Sequence, residues 1–317
     1  MAIDILALGE PMVEFNQTGE GAGRLYLQGF GGDTSNAAIA AARQGASVGY
    51  LSALGADVYG AMLRALWTKE GVDDSGVRTV PQAFTAVYFV NHDDEGHHFS
   101  FFRRGSAASR MQPQDLPADR IAAAKVLHLS GISAAISESA CDTCFAAVEI
   151  AKSAGVRVSF DTNLRLKLWP LARARAVMRE LIGQADICLP SYEDIRAISA
   201  LDDPDALVDY CLALGASTVA LKLGPDGALI ATAERRFRLP PHPCKPVDAT
   251  GAGDTFGGAL LARLVAGDDI EPAARYATVA AALSTEGYGA VEPIPRAEQV
   301  RAALAGQQNL SMQRPAR

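Results

Sequence analysis

A glycine-rich stretch near the carboxyl end carries the strongest chemical signal of the chain. It reads P-V-D-A-T-G-A-G-D-T-F-G-G from Pro246 to Gly258 and precedes an apolar helical run, Ala259 to Val265. Backbone N–H groups at a glycine turn and at a helix start favour an anion. Asp254 would repel that anion, unless it takes a proton from a hydroxyl while the amides of Gly251–Gly253 hold the charge of a phosphoryl group in transfer. The stretch therefore predicts a phosphoryl-transfer site, which needs an acceptor pocket and a nucleotide pocket.

A second glycine-rich stretch lies near the amino end and reads G-G-D-T-S-N from Gly31 to Asn36. Its glycines let the backbone approach a ligand closely, and Asp33 and Asn36 offer acceptors and donors at a helix start. The same residue types are preferred helix N-caps. This stretch alone therefore supports a ligand site and a plain helix cap equally.

Composition describes an ordinary globular protein of 317 residues, with 49% hydrophobic and 21% charged residues. A formal charge of -7 argues against nucleic-acid or membrane-surface binding, which needs clustered Lys and Arg, but an anionic substrate needs only a local patch. Residues 2–9 read as a buried strand rather than a signal peptide, and no apolar run approaches the roughly 20 residues of a membrane span. Five cysteines without regular spacing predict reduced thiols and a cytoplasmic protein, with Cys141 and Cys144 structural.

The second half of the chain alternates between short apolar runs and helical periods, which predicts a parallel sheet covered by helices on both faces. The predicted strands there are 126–129, 156–160, 187–189, 218–222 and 228–231, and the helices are 139–154, 171–183, 205–214, 255–266 and 271–284. The first half adds a helix at 36–44, a strand at 47–54 and a helix at 60–70.

Two segments, about 11–30 and 77–105, interrupt this α/β pattern. Alternation around a turn at 92–96 predicts a β-hairpin in the second segment. We expect the two segments to pair as a small β-sheet lid over the strand ends, where open parallel sheets bind ligands, with separate surface loops as the alternative. Residues 307–317 are polar without a period and are expected to be a flexible tail behind a single domain, 1–306.

Several familiar sites are absent from the sequence. It contains no G-x-x-x-x-G-K-[ST] phosphate loop, no G-x-G-x-x-G after the first strand, and no G-x-S-x-G of a serine hydrolase. His92, His97 and His98 lie beside acids, but a charged hairpin tip explains them without a metal.

The two glycine-rich stretches together resemble the paired signatures of the ribokinase-like (PfkB) carbohydrate kinase family. G-G-D-T-S-N-A-A begins at Gly31 and D-A-T-G-A-G-D-T-F begins at Asp248, and the order of strands, hairpin and motifs fits over nearly the whole chain. The resemblance implies a Rossmann-like core with a β-sheet lid, the use of ATP and Mg²⁺, and phosphorylation of a primary hydroxyl.

The resemblance also implies roles for the residues of the carboxyl-terminal motif. Asp254 matches the family's catalytic base, and its anion hole is matched by Gly251, Ala252 and Gly253. Asp248 matches an acid that in relatives helps to organise this loop and sometimes a monovalent cation.

Two further segments resemble the nucleotide side of the family's site. K-L-G-P-D-G from Lys222 resembles a turn that lines the nucleotide, although a structural hairpin would look the same. L-P-S-Y-E from Leu189 stands where many relatives carry N-x-x-E; Pro190 replaces the Asn, so only Glu193 carries over, as a residue that acts through water on Mg²⁺. The residues implied for nucleotide binding are Ser191, Glu193, Lys222, Gly224, Gly227, Asp248, Gly251 and Gly253.

Three segments resemble the 2-keto-3-deoxygluconate kinases within the family: F-F-R-R-G-S-A-A-S from Phe101, L-H-L-S-G-I from Leu127, and D-x-N-x-R followed by L-W from Asp161. A sugar acid carries a carboxylate that a neutral hexose lacks, and arginine holds carboxylates bidentately, which makes Arg103 and Arg165 the candidates. Phe101 departs from the tyrosine that relatives often have. The predicted substrate-binding residues are Gly32, Asp33, Asn36, Tyr88, Arg103, Asn163 and Arg165.

Two other functions stay open at this point. The same chemistry on a neutral sugar such as fructose or ribose is the nearer one, and a catalytically silent sugar- or nucleotide-binding regulator is the other. Relatives imply a homodimer that pairs through the lid.

Overall fold

The protein is described here by a computed structural model that covers residues 3–19, 23–93 and 96–312. Its strands are β1 (Ile5–Leu8), β2 (Met12–Gln17), β3 (Tyr26–Gly31), β4 (Val48–Gly55), β5 (Val72–Asp73), β6 (Val77–Val80), β7 (Val87–Asp93), β8 (Gly96–Phe102), β9 (Val126–Ser130), β10 (Arg157–Asp161), β11 (Ile187–Leu189), β12 (Thr218–Lys222), β13 (Ala228–Thr232) and β14 (Arg236–Leu239). Its helices are α1 (Asp33–Arg43), α2 (Val58–Glu70), α3 (Ala118–Ala122), α4 (Gly131–Ala135), α5 (Glu138–Ser153), α6 (Leu171–Gln184), α7 (Tyr192–Ser199), α8 (Pro204–Leu214), α9 (Ala252–Val265), α10 (Ile270–Ser284) and α11 (Ala297–Met312).

The central sheet has the order β14-β13-β12-β11-β10-β9-β1-β4-β5, with β6 pairing β4. β1 is an interior strand, and its Ile5 pairs in parallel with Val48 on one side and Val126 on the other. These strands are almost wholly apolar and buried, as strands covered on both faces must be. The predicted parallel α/β sheet is confirmed. The edge of the sheet formed by β13 and β14 is not parallel, because the tight turn at Gly224–Asp226 makes β13 run antiparallel to β12.

Helices α1 and α9 cross at very short range on one face of this sheet. A Cβ added at Gly258 would lie 2.2 Å from the carbonyl oxygen of Ala37 and 2.7 Å from the Cβ of Ala40. Glycine in α9 and alanines in α1 therefore let the two backbones touch. This crossing brings the residue before Ala37, Asn36, beside the amino-terminal turn of α9, where Asp254 lies.

A separate four-stranded sheet in the order β3-β2-β7-β8 forms the lid, so the two interrupting segments do pair with each other. β2 and β3 are antiparallel neighbours, and β2 runs parallel to β7. The second lid segment is shorter than the predicted 77–105. Residues 77–80 pair with β4 of the central sheet, and the lid hairpin begins at Val87. Part of the predicted hairpin turn, 94–95, is outside the described residues.

The carboxyl-terminal helix α11 runs to Met312, into the stretch that was predicted as a tail, and 313–317 lie outside the described residues. Within the described ranges, no helix is long and apolar enough to cross a membrane. All five cysteines are free thiols, and four of them, Cys141, Cys144, Cys188 and Cys211, are buried.

Candidate active site

A cavity of about 690 Å³ opens where the carboxyl ends of the parallel strands meet the lid. Most of the predicted site residues line it: Gly32, Asp33, Asn36, Tyr88, Asn163, Arg165, Ser191, Lys222, Gly224, Gly251, Ala252, Gly253 and Asp254. The described lining leaves out four predicted residues, namely Arg103, Glu193, Gly227 and Asp248. It also includes residues that were not predicted to belong to the site, among them Asp161, Lys167 and Asp194.

The start of α9 forms the glycine turn that the sequence predicted to bind an anion, and this turn is called the anion-binding loop below. Gly251 caps the helix in a left-handed backbone conformation with φ 76°, and a side chain there would meet Ala290 O at 2.9 Å. Thr255 N donates to Gly251 O at 2.8 Å and begins the hydrogen-bond ladder of the helix. The N–H groups of Gly253 and Asp254 precede that ladder. They are therefore available, together with the positive end of the helix, for an anion in the cavity.

Asp254 combines an oriented carboxylate with a raised proton affinity. Asn36 Nδ2 donates to its Oδ2 at 2.9 Å, so one carboxylate oxygen is fixed and the other can accept from a ligand. Burial raises the pKa of Asp254 to about 7, with help from the charges of Asp33 and Asp161, while Asn36 and Lys222 act in the opposite direction. A carboxylate that titrates near neutrality suits proton uptake from a hydroxyl.

Asp33 and Asn163 form a second polar pair in the lining of the cavity. Asn163 Nδ2 donates to Asp33 Oδ2 at 2.9 Å, from a backbone held at φ 32°, a strained value for a residue with a side chain. Gly32 caps α1 without any side-chain bond, so Asp33 is not a helix cap. The second carboxylate oxygen of Asp33, Oδ1, and the amide oxygen of Asn36, Oδ1, are buried and lack partners among the described residues. These acceptors suit a ligand with several hydroxyl groups.

Lys222 and Asp161 carry the charge beneath the anion-binding loop. Lys222 Nζ donates to Asp161 Oδ2 at 2.5 Å, and a Cβ added at Gly253 would lie 3.4 Å from the same ammonium group. Burial raises the pKa of Asp161, and Lys222 acts in the opposite direction. Lys222 thus lies where a phosphate at the loop would meet its charge. Asp161 begins the D-x-N-x-R segment but was not predicted as a site residue, although its place at the end of a buried strand was a usable signal.

Helix α7 places Asp194, rather than the predicted Glu193, at the cavity. Ser191 caps the helix and accepts from Asp194 N at 3.3 Å, and Thr162 Oγ1 donates to Asp194 Oδ2 at 2.9 Å. The side chain of Glu193 is 77% exposed and pairs with Arg196 on the outer surface. Neighbouring helical residues point about 100° apart, so only one of the two acids can face inward.

Arg103 is held away from the cavity by a buried acid. Its Nε donates to Glu10 Oε2 at 2.6 Å, and Ser106 Oγ donates to the other Glu10 oxygen at 2.5 Å. The Glu10 side chain has no exposure to solvent and that of Arg103 is only 10% exposed, so this ion pair is buried. It joins the chain entering the lid at Glu10 to the chain leaving it at Arg103. In this arrangement Arg103 fastens the base of the lid and does not reach a ligand in the cavity.

Two cationic side chains at the cavity rim come from one loop after β10. Arg165 and Lys167 both line the cavity and are exposed, and Arg165 Nη1 donates to the carbonyl oxygen of Leu164 at 2.9 Å. The loop ends at the buried Trp169, which anchors it to the core. Lys167 was not among the predicted residues.

Gly227 and Asp248 lie outside the described cavity lining and hold the backbone of neighbouring turns and loops. Gly227 has φ 88°, and a Cβ there would lie 2.1 Å from Leu239 O, so it serves the turn into β13. Asp248 Oδ1 accepts from Thr250 N at 2.9 Å, and its Oδ2 accepts from Gly289 N at 2.9 Å. Asp248 thereby ties the loop before α9 to the turn after α10.

Known proteins share both the sequence and the fold. The family model for pfkB family carbohydrate kinases matches residues 2–297. Fructokinase-1 of Oryza sativa subsp. japonica is 33% identical over 312 residues, with 93% of this chain and 96% of the relative covered. The 2-dehydro-3-deoxygluconokinase of Bacillus subtilis (strain 168) is 30% identical over 319 residues, with 98% of each covered.

Solved structures agree with this assignment. A protein assigned as ribokinase II from E. coli, in complex with ATP and Mg²⁺, matches with a TM-score of 0.88 and 26% identity over 96% of this chain and 99% of its own. The aminoimidazole riboside kinase of Salmonella enterica, complexed with aminoimidazole riboside and an ATP analog, matches with a TM-score of 0.85 and 27% identity, with 95% and 99% covered. The chain with this cavity, this lid and this anion-binding loop belongs to the PfkB family of carbohydrate kinases, and is a sugar kinase.

Proposed function

We propose that the protein transfers the γ-phosphoryl group of ATP to the terminal primary hydroxyl of 2-keto-3-deoxygluconate or a close keto-deoxy sugar acid. The observation that carries the sugar acid is the pair of cations, Arg165 and Lys167, in the same cavity as Asp254. A carboxylate at one end of the substrate would pair with them while the hydroxyl at the other end faces the acid.

The nucleotide side of the cavity fits ATP. The anion-binding loop, Lys222 and Gly224 line it together, and they provide backbone donors, a positive charge and an open approach for phosphates. Among the described residues no three His, Cys, Asp or Glu side chains are grouped closely enough to hold a metal by themselves. Mg²⁺ fits as an ion that arrives on the triphosphate, with Asp194 and the unpartnered oxygen of Asp161 on the cavity side to reach it through water. Mg²⁺ would neutralise phosphate charge there.

The proton and the phosphoryl group move in a balanced exchange. Asp254 accepts the proton of the primary hydroxyl as the hydroxyl oxygen forms its bond to the γ-phosphorus, and the bond to the β–γ bridging oxygen breaks to release ADP. The N–H groups at the start of α9 stabilise charge on the transferring group. The lid covers the cavity and limits the access of water, which would otherwise hydrolyse ATP.

The raised pKa of Asp254 predicts a pH profile. Since the base must be deprotonated to work, kcat/KM is expected to fall about tenfold from pH 8 to pH 6, through a transition near 7. Initial rates in a coupled ADP-release assay, with the coupling enzymes in excess at every pH, measure this. A rate that is flat between pH 5.5 and 8 would show that no such carboxyl controls it.

A neutral keto-sugar is the second candidate, and two observations favour it. Fructokinases of plants are 31% to 33% identical to this chain. Arg103, one of the two arginines expected to hold a carboxylate, is bound to Glu10 instead.

Turnover of 2-keto-3-deoxygluconate, its galactonate epimer, fructose and ribose, measured side by side with ATP and Mg²⁺, tests the proposal. We expect kcat/KM for a keto-deoxy acid to exceed that for fructose at least tenfold. Equal or better turnover of fructose removes the carboxylate from the proposal and leaves the kinase assignment unchanged.

We also propose a homodimer that forms through the lid. Leu27 and Phe102 on the edge strands of the lid are 66% and 58% exposed. Burying such side chains against a second lid would remove apolar surface from water. Light scattering after size-exclusion chromatography is expected to give twice the chain mass for the wild type and the chain mass for a Leu27→Glu/Phe102→Glu variant; a monomeric wild type excludes the dimer. A monovalent cation at Asp248 and a cytoplasmic location stay predictions.

A further inference from the structure

The lid carries a buried acid, Glu14, that the chemistry described so far does not use. Glu14 is 5% exposed and lies on β2, on the same face as Met12, which lines the cavity. The hydroxyl of Tyr88, on the neighbouring strand β7, donates a short hydrogen bond to Glu14 Oε2. Tyr88 itself lines the cavity and is also 5% exposed.

The edge strand β3 is shaped to make room for this pair. Gly29 and Gly31 are two residues apart and therefore face the same side of the strand. A Cβ at Gly29 would lie 3.1 Å from Glu14 Oε1, and a Cβ at Gly31 would lie 2.5 Å from the Tyr88 hydroxyl. A side chain at Gly31 would displace the phenol, and one at Gly29 would crowd the carboxylate. The lid thus holds a specific polar pair and not a filled apolar face.

The pair has a defined direction of proton donation. A phenol has one proton and two lone pairs, and a carboxylate only accepts. Burial and the Glu14 carboxylate raise the pKa of Tyr88, so the phenol keeps its proton. Burial raises the pKa of Glu14, and hydrogen bonds from Tyr88 and Asn16 act in the opposite direction. Because the O–H of Tyr88 is directed at Glu14, the phenol oxygen presents only lone pairs to the cavity.

We infer that Glu14 is a positioning residue which makes Tyr88 an acceptor, so that the lid recognises a non-reacting hydroxyl of the sugar. A carboxylate or keto oxygen has no proton to give and would face the Tyr88 lone pairs with repulsion. The inference rests on the proposed function for its orientation: the carboxylate of a sugar acid lies toward Arg165 and Lys167, and a hydroxyl lies under the lid. The ring of Tyr88 is kept in place by stacking on Phe101, with centroids 5.4 Å apart.

Analogues of the sugar with the highest kcat/KM in the substrate panel test this inference. Each non-reacting hydroxyl is replaced in turn by hydrogen or by fluorine, which accepts but cannot donate. At one position we expect KM to rise about tenfold for the deoxy analogue, the size of one hydrogen bond, with kcat changed less than twofold. KM for the fluoro analogue at that position should rise at least as much, because the lone pairs of the fluorine face those of Tyr88.

Variants then show that Glu14 sets this preference. The rise in KM caused by the fluorine substitution is expected to persist in Glu14→Gln, whose amide oxygen accepts a hydrogen bond from the same phenol. It should disappear in Tyr88→Phe and in Glu14→Leu, where the phenol is absent or free to rotate and donate. Tyr26→Phe is the matched control, since Tyr26 is a lid tyrosine whose hydroxyl contacts Asn91 and not the cavity. Thermal melting confirms that each variant folds.

Two results would overturn the inference. One is a fluoro analogue that binds as well as the parent sugar at every position in the wild type, which would mean that Tyr88 donates. The other is a Glu14→Leu variant that keeps the wild-type order of analogues. If Glu14→Leu fails to fold, the fluoro analogues on the wild type and on Tyr88→Phe still decide. A neutral sugar as the best substrate would contradict the proposed sugar acid and leave this test intact.

Discussion

Asp254→Asn is expected to lower kcat by about 10²–10⁴-fold while leaving the KM values for sugar and ATP within a few-fold of the wild type. Asparagine keeps the size of the side chain and its place in the first turn of α9, but it cannot take the proton of the attacking hydroxyl. Single-turnover rates with saturating sugar and ATP measure this loss at the chemical step. Near-normal turnover in this variant would mean that another group is the base.

A matched control separates this effect from the general loss of a helix-terminal acid. Asp119 is an exposed aspartate in the first turn of α3, and Asp119→Asn should leave kcat unchanged.

Asp254→Asn should also make the folded protein more stable at high pH. A carboxyl whose pKa is raised from 3.8 to about 7 stabilises the fold below about pH 4, and this contribution is lost as the pH rises toward 7. At pH 8 the wild type holds an ionised Asp254 near Asp33 and Asp161, a repulsion that asparagine removes. We expect the melting temperature of the variant to exceed that of the wild type by about 2–4 °C at pH 8 and to approach it at pH 5.

Arg165→Ala is expected to reduce kcat/KM for the keto-deoxy acid by about 10–10²-fold and for fructose by less than threefold. A hydrogen bond to a charged group is worth about 1.5–3 kcal/mol, and only the acid offers a carboxylate to this guanidinium. Lys167→Ala should act in the same direction with a smaller effect, since lysine pairs as a point charge. Steady-state kinetics on both sugars give the loss in kcat/KM for each, and the ratio of the two losses tests the prediction.

Arg104→Ala is the matched control for these two variants. Arg104 is an exposed arginine beside the base of the lid and is not part of the described cavity lining. Equal losses on both sugars in Arg165→Ala would assign this arginine to the nucleotide or to the loop itself, and would remove the main support for a sugar acid.

The sequence predicted the glycine turn and the helix start around Asp254, because the information there is local. Glycines at 251 and 253 and the helix that follows fix the backbone within one turn, and Asp254 must then lie at its start. The parallel sheet was predictable for a similar reason, since short apolar strands separated by helices leave few other arrangements. The antiparallel edge depends on a single tight turn at Gly224–Asp226, and no other residue pattern indicated the direction of β13.

The residues that the sequence misplaced or missed depend on rotation or on distant partners. Glu193 and Asp194 are adjacent acids, and only the helix start at Ser191 decides which of them faces the cavity. Arg103 was expected to bind a carboxylate, and it does pair with one, but this is Glu10, 93 positions away in the chain. The partner of such an arginine cannot be read from its neighbours in sequence.

The crossing of α1 and α9 at Gly258 has a consequence for when the enzyme can become active. The hydrogen bond between Asn36 and Asp254 links residues 218 positions apart, and it forms only where the two helix backbones touch. A nascent chain can complete β1, the lid and α1 long before α9 leaves the ribosome, but it has no base and no anion-binding loop at that stage. Catalytic competence is therefore expected to arrive late in synthesis, when α9 packs on α1 and brings Asp254 to Asn36.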